Sequence, residues 1–467
     1  MPSDSFSNFL QSTSAQITLK LVLITFLVLF LLIPKFMILD LISERENMSA
    51  KVTDEVAVGW GNQQVITGPV LILPYNVVTV TNAQVNVSNV TKKYLVIFPD
   101  SLNINGQLET HEKYRNIYKV LLYNSSLTIS GKFNLPPDGF SGIAKTDLLW
   151  NEATLIQGIS DIKGLKSKVT MKMNGNDVNC KSGISGLSFT VDNVPFSYSV
   201  PKTEAIKSGQ SLIQSGINAP LNSILSESKD SFTFSFPLQL NGCKYLYFTP
   251  VGKTTTVQLA STFPDPSFTG AYLPDHKTNQ KGFAANWSVL EYNKDFPEYM
   301  TYNESIPLGA TGFGIEVREL INQYDVTYRT GKYMILFIVL TFLVVFLTEV
   351  VYRLRIHIFQ YILIGLALVL FFTLLLSVSE FTGFNTAYIL SALSTITLLY
   401  FYSLSVFQNK KSSLILLVLL MSLFVYIFLI IQLETMALLA GTLGLFVILA
   451  ATMYATRSIK WYEEKVQ

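Results

Sequence analysis

The chain has 467 residues, of which 14% are charged and 49% hydrophobic, and its formal net charge is +2. Soluble proteins carry about 25% charged residues, so this deficit points to a membrane protein. The small net charge, without a Lys/Arg tract interleaved with aromatic residues, excludes a nucleic-acid-binding protein. Charge is scarce from Tyr333 to Tyr454 and ordinary from Ser43 to Thr330, which predicts two environments along one chain.

The first apolar run extends from Leu21 to Leu39 and includes Pro34 and Lys35. Its densest part is short enough to be the apolar region of a cleaved signal peptide. The run continues past Lys35, however, and about 19 residues at 1.5 Å rise nearly cross a 30 Å hydrocarbon core. We therefore predict an uncleaved anchor, with residues 1–40 forming a cytoplasmic N-terminus and the first transmembrane helix.

Residues 41–332 are predicted to form a large β-rich domain outside the cytoplasm. Apolar and polar residues alternate there with period two, which is typical of strands with one buried face. The clearest runs are Phe232, Phe234, Phe236, Leu238 and Leu240; Leu127, Ile129, Phe133 and Leu135; and Val169, Met171 and Met173. Turn signals at Asn174-Gly175 and Asn241-Gly242 favour antiparallel, sandwich-like sheets.

Three parts of this domain depart from the alternation. Leu41 to Val58 lacks turn residues, so we predict a juxtamembrane helix that continues from the anchor. Pro237 cannot donate a ladder hydrogen bond, which places its strand at an edge or at a bulge. The polar segment from Thr203 to Lys229 is predicted to be a helical or flexible insertion.

Five further apolar runs are each long enough to span a membrane. They are Met334 to Val351, Ile358 to Val378, Tyr388 to Phe407, Leu414 to Leu433 and Met436 to Tyr454. Basic residues fall on every second connection, namely Arg353 and Arg355, Lys410 and Lys411, and Arg457 and Lys460. By the positive-inside rule these connections are cytoplasmic. Residues 333–467 are therefore predicted to form a five-helix bundle, with both chain termini in the cytoplasm.

The sequence contains no signature of a familiar catalytic or metal site. His111, His276 and His357 lie far apart, and His357 falls in a connection predicted to be cytoplasmic. There is no HExxH motif, no G-x-S-x-G elbow and no phosphate-binding loop. We therefore expect no enzyme activity and predict no catalytic residue, cofactor or metal ligand.

Ionisable residues inside membrane spans are costly and often mark functional sites. Two candidates occur, Glu349 near the inner end of its helix and Glu380 at the outer boundary. Arg353 follows Glu349 by four residues and offers an ordinary ion pair at the interface. Thr382-Gly383 follows Glu380 and can end a helix, so a role in the turn is the alternative to a functional one.

The only cysteines, Cys180 and Cys243, both lie in the external segment. They are a candidate disulfide if that segment occupies an oxidising compartment. Two separate thiols are the alternative, which the sequence leaves open.

Several motifs at fixed positions are familiar as a set. The most specific is Phe263-Pro264-Asp-Pro266-Ser267-Phe268-Thr-Gly270, which continues through Leu273-Pro274 to Gly282-Phe283 and Trp287. Other motifs of the set are Gly68-Pro69-Val70-Leu71, Pro74-Tyr75, Arg115-Asn-Ile117-Tyr118, Lys332-Tyr333, Gln360-Tyr361, Ser379-Glu380 and Trp461-Tyr462. With them the chain resembles, over nearly its whole length, the CreD family of bacterial inner-membrane proteins.

The resemblance implies a stress-responsive protein of the bacterial inner membrane that contributes to cell-envelope integrity and is linked to colicin tolerance. It also implies that the external domain is periplasmic. No catalytic residues are established for the family that could be carried over. The motif residues are therefore candidates for a structural or partner-binding surface: Phe263, Pro264, Pro266, Ser267, Phe268, Gly270, Tyr272 and Trp287.

The leading hypothesis is a non-enzymatic envelope protein whose periplasmic domain binds a protein or a cell-wall component, with membrane lipids around its helices. The alternative is a transporter or channel for an uncharged or lipid-like substrate, since five clustered spans could enclose a path lined by Thr, Ser and Gly. A membrane-bound enzyme acting on lipid or peptidoglycan precursors is a third hypothesis. The sequence identifies neither the ligand nor the oligomeric state.

Overall fold

The computed structural model describes residues 13–80, 88–136, 139–140, 142–184, 186–192, 210–222, 224–225, 230–294, 297–302, 305–317, 323–352, 354, 356–433 and 436–457. The chain divides into a helical unit, Met1–Ala50 with Ile321–Gln467, and a β-rich unit, Lys51–Leu320, called the external unit after its predicted location. The predicted fold class is confirmed, because an N-terminal apolar helix, a β-rich central region and a C-terminal cluster of apolar helices are all present.

Within the described residues, six helices are long and apolar enough to cross a membrane. The first consists of α1 (Thr13–Phe30) and α2 (Leu32–Trp60), which join at Leu31. A short helix, α3 (Gln323–Lys332), precedes the other five. These are α4 (Met334–Val351), α5 (Ile358–Thr382), α6 (Phe384–Phe407), α7 (Lys410–Gln432) and α8 (Ala437–Thr456).

The ends of these helices follow ordinary capping chemistry. His357 precedes α5, and its Nδ1 accepts a hydrogen bond from the Phe359 N–H at 3.2 Å. Asn409 caps α7 by accepting from the Lys411 N–H at 3.0 Å. Gly383 ends α5 with φ of 77°, and its N–H donates to the Ser379 carbonyl at 3.1 Å. The Thr-Gly pair after Glu380 therefore ends the helix, as predicted.

Aromatic side chains fill the interior of the helical unit, where α4, α5, α6 and α7 meet. The ring of Phe424 lies 5.0 Å from that of Phe337 and 5.1 Å from that of Phe371. Tyr388 stands edge-on to Phe371 at 5.5 Å, and its hydroxyl donates to the Phe424 carbonyl at 2.8 Å. α1 packs against α4 and α5, so the N-terminal span belongs to this unit.

The external unit is an assembly of strands. Their bounds are β1 Gln64–Val80, β2 Ser88–Ile97, β3 Ser101–Arg115, β4 Tyr118–Asn134, β5 Thr154–Ile159, β6 Thr170–Met173, β7 Asn176–Asn179, β8 Lys181–Ser182, β9 Ser188–Asp192, β10 Gln210–Ile213, β11 Gly216–Pro220, β12 Ser231–Thr249, β13 Thr254–Ser261, β14 Ser267–Gly270, β15 Asp275–Asn279, β16 Gly282–Val289, β17 Tyr299–Tyr302, β18 Ser305–Gly309 and β19 Phe313–Val317.

The long strand β12 organises the main sheet, whose order is β15-β16-β13-β3-β4-β12-β1-β5-β11-β8. Ser231 to Cys243 of β12 pair with β4. At Lys244 the backbone adopts φ of 60°, and from there β12 pairs with β1 in parallel and with β19 in antiparallel orientation. This change of partner lets one continuous sheet enclose a common core, in agreement with the sandwich-like prediction.

The predicted alternation along β12 is confirmed, because Phe232, Phe234, Phe236, Leu238 and Leu240 are buried while the residues that alternate with them are exposed or half-buried. The β6–β7 hairpin turns at Asn174-Gly175, as predicted, and both residues have positive φ. Phe133 stacks on Phe232 with ring centres 5.0 Å apart, which joins β4 to β12 in the core.

Two local predictions were wrong. Asn241-Gly242 is not a turn: β12 continues through it in register with β4, and a Cβ at Gly242 would lie 2.3 Å from the Tyr123 hydroxyl and 2.4 Å from the ring atom Cζ. Glycine is therefore required there by close packing. The described part of the segment Thr203 to Lys229 contains strands β10 and β11 and no helix, and the rest of that segment lies outside the described residues.

Pro237 lies where β12 has a strand partner on one side. It pairs with Thr128 of β4 without a register break. On the other side, β6 pairs with Phe234 and Ser235 only, and β1 and β19 begin beyond Cys243. The prediction of an edge position is therefore correct locally, although β12 as a whole is central.

Candidate functional site

The aromatic motif segment from Phe263 to Trp287 is ordered and packed. Phe268 of β14 stands edge-on to Phe283 at 5.6 Å and to Trp287 at 5.7 Å. Trp287 is 1% exposed, and its ring lies 5.7 Å from that of Phe313. The indole N–H of Trp287 donates to the Tyr272 carbonyl at 3.2 Å, which fixes the loop between β14 and β15.

The remaining motif residues lie around this cluster. Pro264 is exposed, and Pro266 and Ser267 are half-buried at the start of β14. Gly270 has φ of 106° and pairs with Phe313, and a Cβ there would meet the Gly312 carbonyl oxygen at 2.4 Å. Tyr272 packs edge-on to Phe313 at 5.6 Å, and its hydroxyl donates to the Asn293 carbonyl at 2.5 Å. The structure thus brings these residues together, and a partner-binding role for them stays a prediction.

Glu349 is the centre of a buried polar network in the helical unit. Its Oε1 forms an ion pair with Lys20 and accepts the Ile356 N–H at 3.0 Å, and its Oε2 accepts the Tyr361 hydroxyl at 2.8 Å. Lys20 Nζ also donates to the Ile356 carbonyl at 2.6 Å. The side chain of Glu349 is only 9% exposed. Both of its oxygens are therefore in contact with polar groups, which come from α1, α5 and the segment between α4 and α5.

The helical neighbour Arg353, which the sequence offered as the partner of Glu349, lies outside the described residues. Lys20 was missed because it is 329 positions away along the chain. A signal was nevertheless present: Lys20 is a single cation at the start of an apolar run, and an ionisable residue in such a position needs a partner.

Glu380 pairs with the N-terminal helix as well. It lies in the last turn of α5, and Arg45 Nε of α2 is 3.7 Å from its Oε1. The two candidate membrane carboxylates are thus each matched by a cation from the first helix, Lys20 at one end of the unit and Arg45 at the other. Both pairs fix the first helix against the C-terminal spans.

The candidate disulfide is not formed, because Cys180 and Cys243 are free thiols. Cys180 is half-buried beside the main core, whereas Cys243 packs in a separate cluster with Ala57, Val120 and Leu122. Burial raises the pKa of Cys180 to about 11 and that of Cys243 to about 12. Of the two alternatives left open by the sequence, the structure contains two separate thiols.

A polar groove on the outward face of the main sheet was not predicted. It has a volume of about 610 Å³ and lies over β4, β3 and β13, on the side opposite the core. Its lining contains no ionisable side chain. The polar residues that line it are Asn103, Asn105, Gln107, Ser126, Thr128, Ser130, Thr256 and Gln258.

The groove continues across the sheet into a second hollow of about 440 Å³ over β13, β16 and β15. Asn105, Gly106 and Gln258 line both hollows. Ala260 and Ala284 form an apolar floor in the second one, and Asp275 and Lys277 of β15, which pair with Asn286 and Ala284, line its far side. The side chain of His276 is on the opposite face of β15, since His276 pairs with the buried Ala285, and its ring lies 4.7 Å from that of Phe268 of the aromatic motif segment.

Comparison with known proteins gives the family. The family model described as inner membrane protein CreD matches residues 16–462. The chain belongs to the CreD family. It is 28% identical over 440 residues to inner membrane protein CreD of Escherichia coli (strain K12), which covers 93% of this chain and 91% of that protein. Membership of this family, together with the apolar helices, makes the chain a multi-pass inner-membrane protein, as the resemblance implied.

Proposed function

We propose that this CreD family member is a non-enzymatic protein that contributes to cell-envelope integrity under stress, by binding an envelope component through its external unit. The observation that carries the proposal is the open groove on the sheet of the external unit, because its volume lies in the range of about 300–1,000 Å³ that is usual for ligand-binding sites. The groove belongs to a unit with its own core, so a ligand there would be bound outside the membrane spans.

The proposed orientation places the external unit in the periplasm and both termini in the cytoplasm. Lys410 and Lys411 begin α7, and Arg457 follows α8. Positive charge favours the cytoplasmic side, so these two helix ends should face the cytoplasm. The N-terminal end of the first helix then faces the cytoplasm, and β1, which follows the helix, lies in the periplasm.

The test is photo-crosslinking in intact cells. A photoreactive amino acid replaces Asn105 in the groove, and the control replaces Asn179, an exposed amide on β7 outside the groove. We expect an adduct at position 105 that increases under envelope stress, and none at position 179. Mass spectrometry identifies whether the adduct is protein or cell-wall material. Reproducible absence of any adduct at position 105 under stress would refute the proposal.

Transport of an uncharged or lipid-like substrate is the second candidate, and the buried Lys20–Glu349–Tyr361 network favours it, since such networks can mark a path through a membrane protein. Flux measurements on the reconstituted protein separate the two functions. Glu349→Gln and Glu380→Gln should change the flux if these carboxylates line a path. Permeability equal to that of protein-free vesicles would remove this candidate.

A further inference from the structure

The outward face of the main sheet is uncharged over an area wider than the groove itself. Strand register aligns its side chains in rows that run across β12, β4, β3, β13 and β16. The central row, taken in that order, is Pro237, Thr128, Asn105, Gln258 and Asn286.

The rows on either side of the central one, through Asn103 and through Gln107, contain only Ser, Thr, Asn, Gln and Ala. Charge borders the three rows: Asp275 and Lys277 of β15 pair with Asn286 and Ala284, and Lys172 of β6 pairs with Ser235. Lys132 and Glu109 lie in the next row on either side. Five strands at about 4.8 Å spacing make this face about 19 Å wide.

The absence of charge from this described part of the sheet is unusual for a solvent-facing surface. Typical surfaces are about 25–35% charged, so about four or five of the fifteen positions in three rows of five would be expected to carry charge. Charged side chains on an exposed face keep a protein soluble and prevent association. Their replacement by amides and hydroxyls over a continuous patch therefore indicates a surface selected for a ligand.

The chemistry of the patch defines that ligand. Asn, Gln, Ser and Thr side chains each donate and accept hydrogen bonds, as do the hydroxyls of a sugar. An anionic ligand would require Lys or Arg, which give the strong charge-assisted bonds. A polypeptide would add to a strand edge or fill apolar pockets. The backbone groups of β4, β3 and β13 are already used in the ladders on both sides.

We infer that this face binds an uncharged glycan, with its hydroxyls on Asn105, Thr128 and Gln258. The second hollow supplies what the apolar face of a sugar ring needs, because Ala260 and Ala284 form a flat floor there. Asp275 and Lys277 of β15 mark the end of the uncharged face on that side. The inference rests on the proposed function, since it names the class of envelope component that the external unit binds.

The test uses the purified full-length protein in detergent micelles. The probes are uncharged oligomers of N-acetylglucosamine and of glucose, with an anionic oligogalacturonate and an uncharged peptide for comparison. Isothermal titration gives the affinity, and saturation-transfer NMR identifies the sugar protons in contact. We expect saturable binding of at least one uncharged oligomer, unaffected by added salt, because no charge takes part.

Asn105→Ala and Gln258→Ala should each weaken that binding about tenfold, since each removes an amide with about two hydrogen bonds. Thr128→Glu places a charge in the centre of the face and should weaken it at least as much. Asn179→Ala is the matched control and should leave the affinity unchanged. Equal thermal unfolding of all four variants shows that the loss is not a loss of fold.

No saturable binding of any uncharged oligomer, tighter binding of the anion or the peptide, or equal affinity in Asn105→Ala and Asn179→Ala would each overturn the inference. Its failure is distinguishable from that of the proposed function. Glycan binding that the variants weaken as expected, without an adduct in cells, supports the inference and refutes the proposed cellular role. A protein adduct at position 105, without glycan binding, supports the proposed function and refutes the inference that the ligand is a glycan.

Discussion

The Lys20–Glu349 pair allows a quantitative test of what holds the first helix against the C-terminal spans. Lys20→Met removes the cation and keeps most of the apolar stem. Glu349, 9% exposed, is then left as a buried carboxylate with the Tyr361 hydroxyl and the Ile356 N–H as its partners. Removing one partner of a buried ion pair typically costs about 3–5 kcal/mol of stability, because the remaining charge is uncompensated.

Glu349→Gln should cost less, about 1–2 kcal/mol, for two reasons. The amide oxygen can still accept a hydrogen bond from Tyr361 or Ile356. Lys20 is 22% exposed, and its long side chain can carry the ammonium towards the membrane surface once the carboxylate is gone. Lys20→Met should therefore be less stable than Glu349→Gln, because the carboxylate of Glu349 is more buried than the ammonium of Lys20.

The double variant Lys20→Met/Glu349→Gln has no unpaired charge. It should be more stable than the sum of the single costs predicts, with a coupling energy of about 1.5–3 kcal/mol. The measurement is the free energy of unfolding of the full-length protein in mixed detergent micelles, followed by loss of helix content. Lys35→Met is the control, because the Lys35 ammonium lies over the Phe36 ring and its loss should cost about 1 kcal/mol or less. Additive single costs, within about 0.5 kcal/mol, would refute the reasoning.

Three further outcomes are expected. Tyr272→Ala should cost about 2–3 kcal/mol of stability and so lower the amount of folded protein, because the ring packs on Phe313, whereas Tyr272→Phe should cost about 1 kcal/mol. A normal protein level with lost stress tolerance would instead indicate a partner surface. At pH 8 the raised pKa values of Cys180 and Cys243 lower the fraction of each thiol that is ionised at least about a hundredfold relative to a free cysteine. Mass spectrometry should therefore detect slow alkylation of Cys180, and alkylation of Cys243 only after unfolding. A reporter fused after Asn176 should be active only in the periplasm and one after Gln408 only in the cytoplasm, and the opposite pattern would reverse the proposed topology.

Local patterns were sufficient for much of the fold. A strand with one buried face needs apolar residues at every second position, and Phe232 to Leu240 of β12 meet that requirement without help from distant residues. Asn241-Gly242 shows where the same method fails. The pair has the composition of a hairpin turn, but its glycine is required by the ring of Tyr123, which a neighbouring strand brings against it. Only the folded sheet reveals that contact.

The candidate site residues also differ in whether the sequence alone could identify them. Glu349 and Glu380 could be selected from the sequence, because a carboxylate in or near an apolar span is conspicuous wherever its partner lies. Their partners Lys20 and Arg45 could not be assigned, since the pairing depends on how the first helix packs. The groove was missed because Asn105, Thr128 and Gln258 are ordinary surface residues in the sequence, and only strand register makes them neighbours.

The first helix is part of the helical unit and not a separate anchor. The sequence describes an anchor followed, after the external domain, by a separate five-helix bundle. In the structure α1 packs against α4 and α5, and its continuation α2 contributes Arg45 to the end of α5. Gly365 of α5 accommodates Leu31, because a Cβ there would lie 2.5 Å from the Leu31 Cδ1. A helix held by shape and by an ion pair towards each end is a structural member of a six-helix unit. That unit can be completed only after the external unit has been synthesised, because the chain between Lys20 and Glu349 includes all of it.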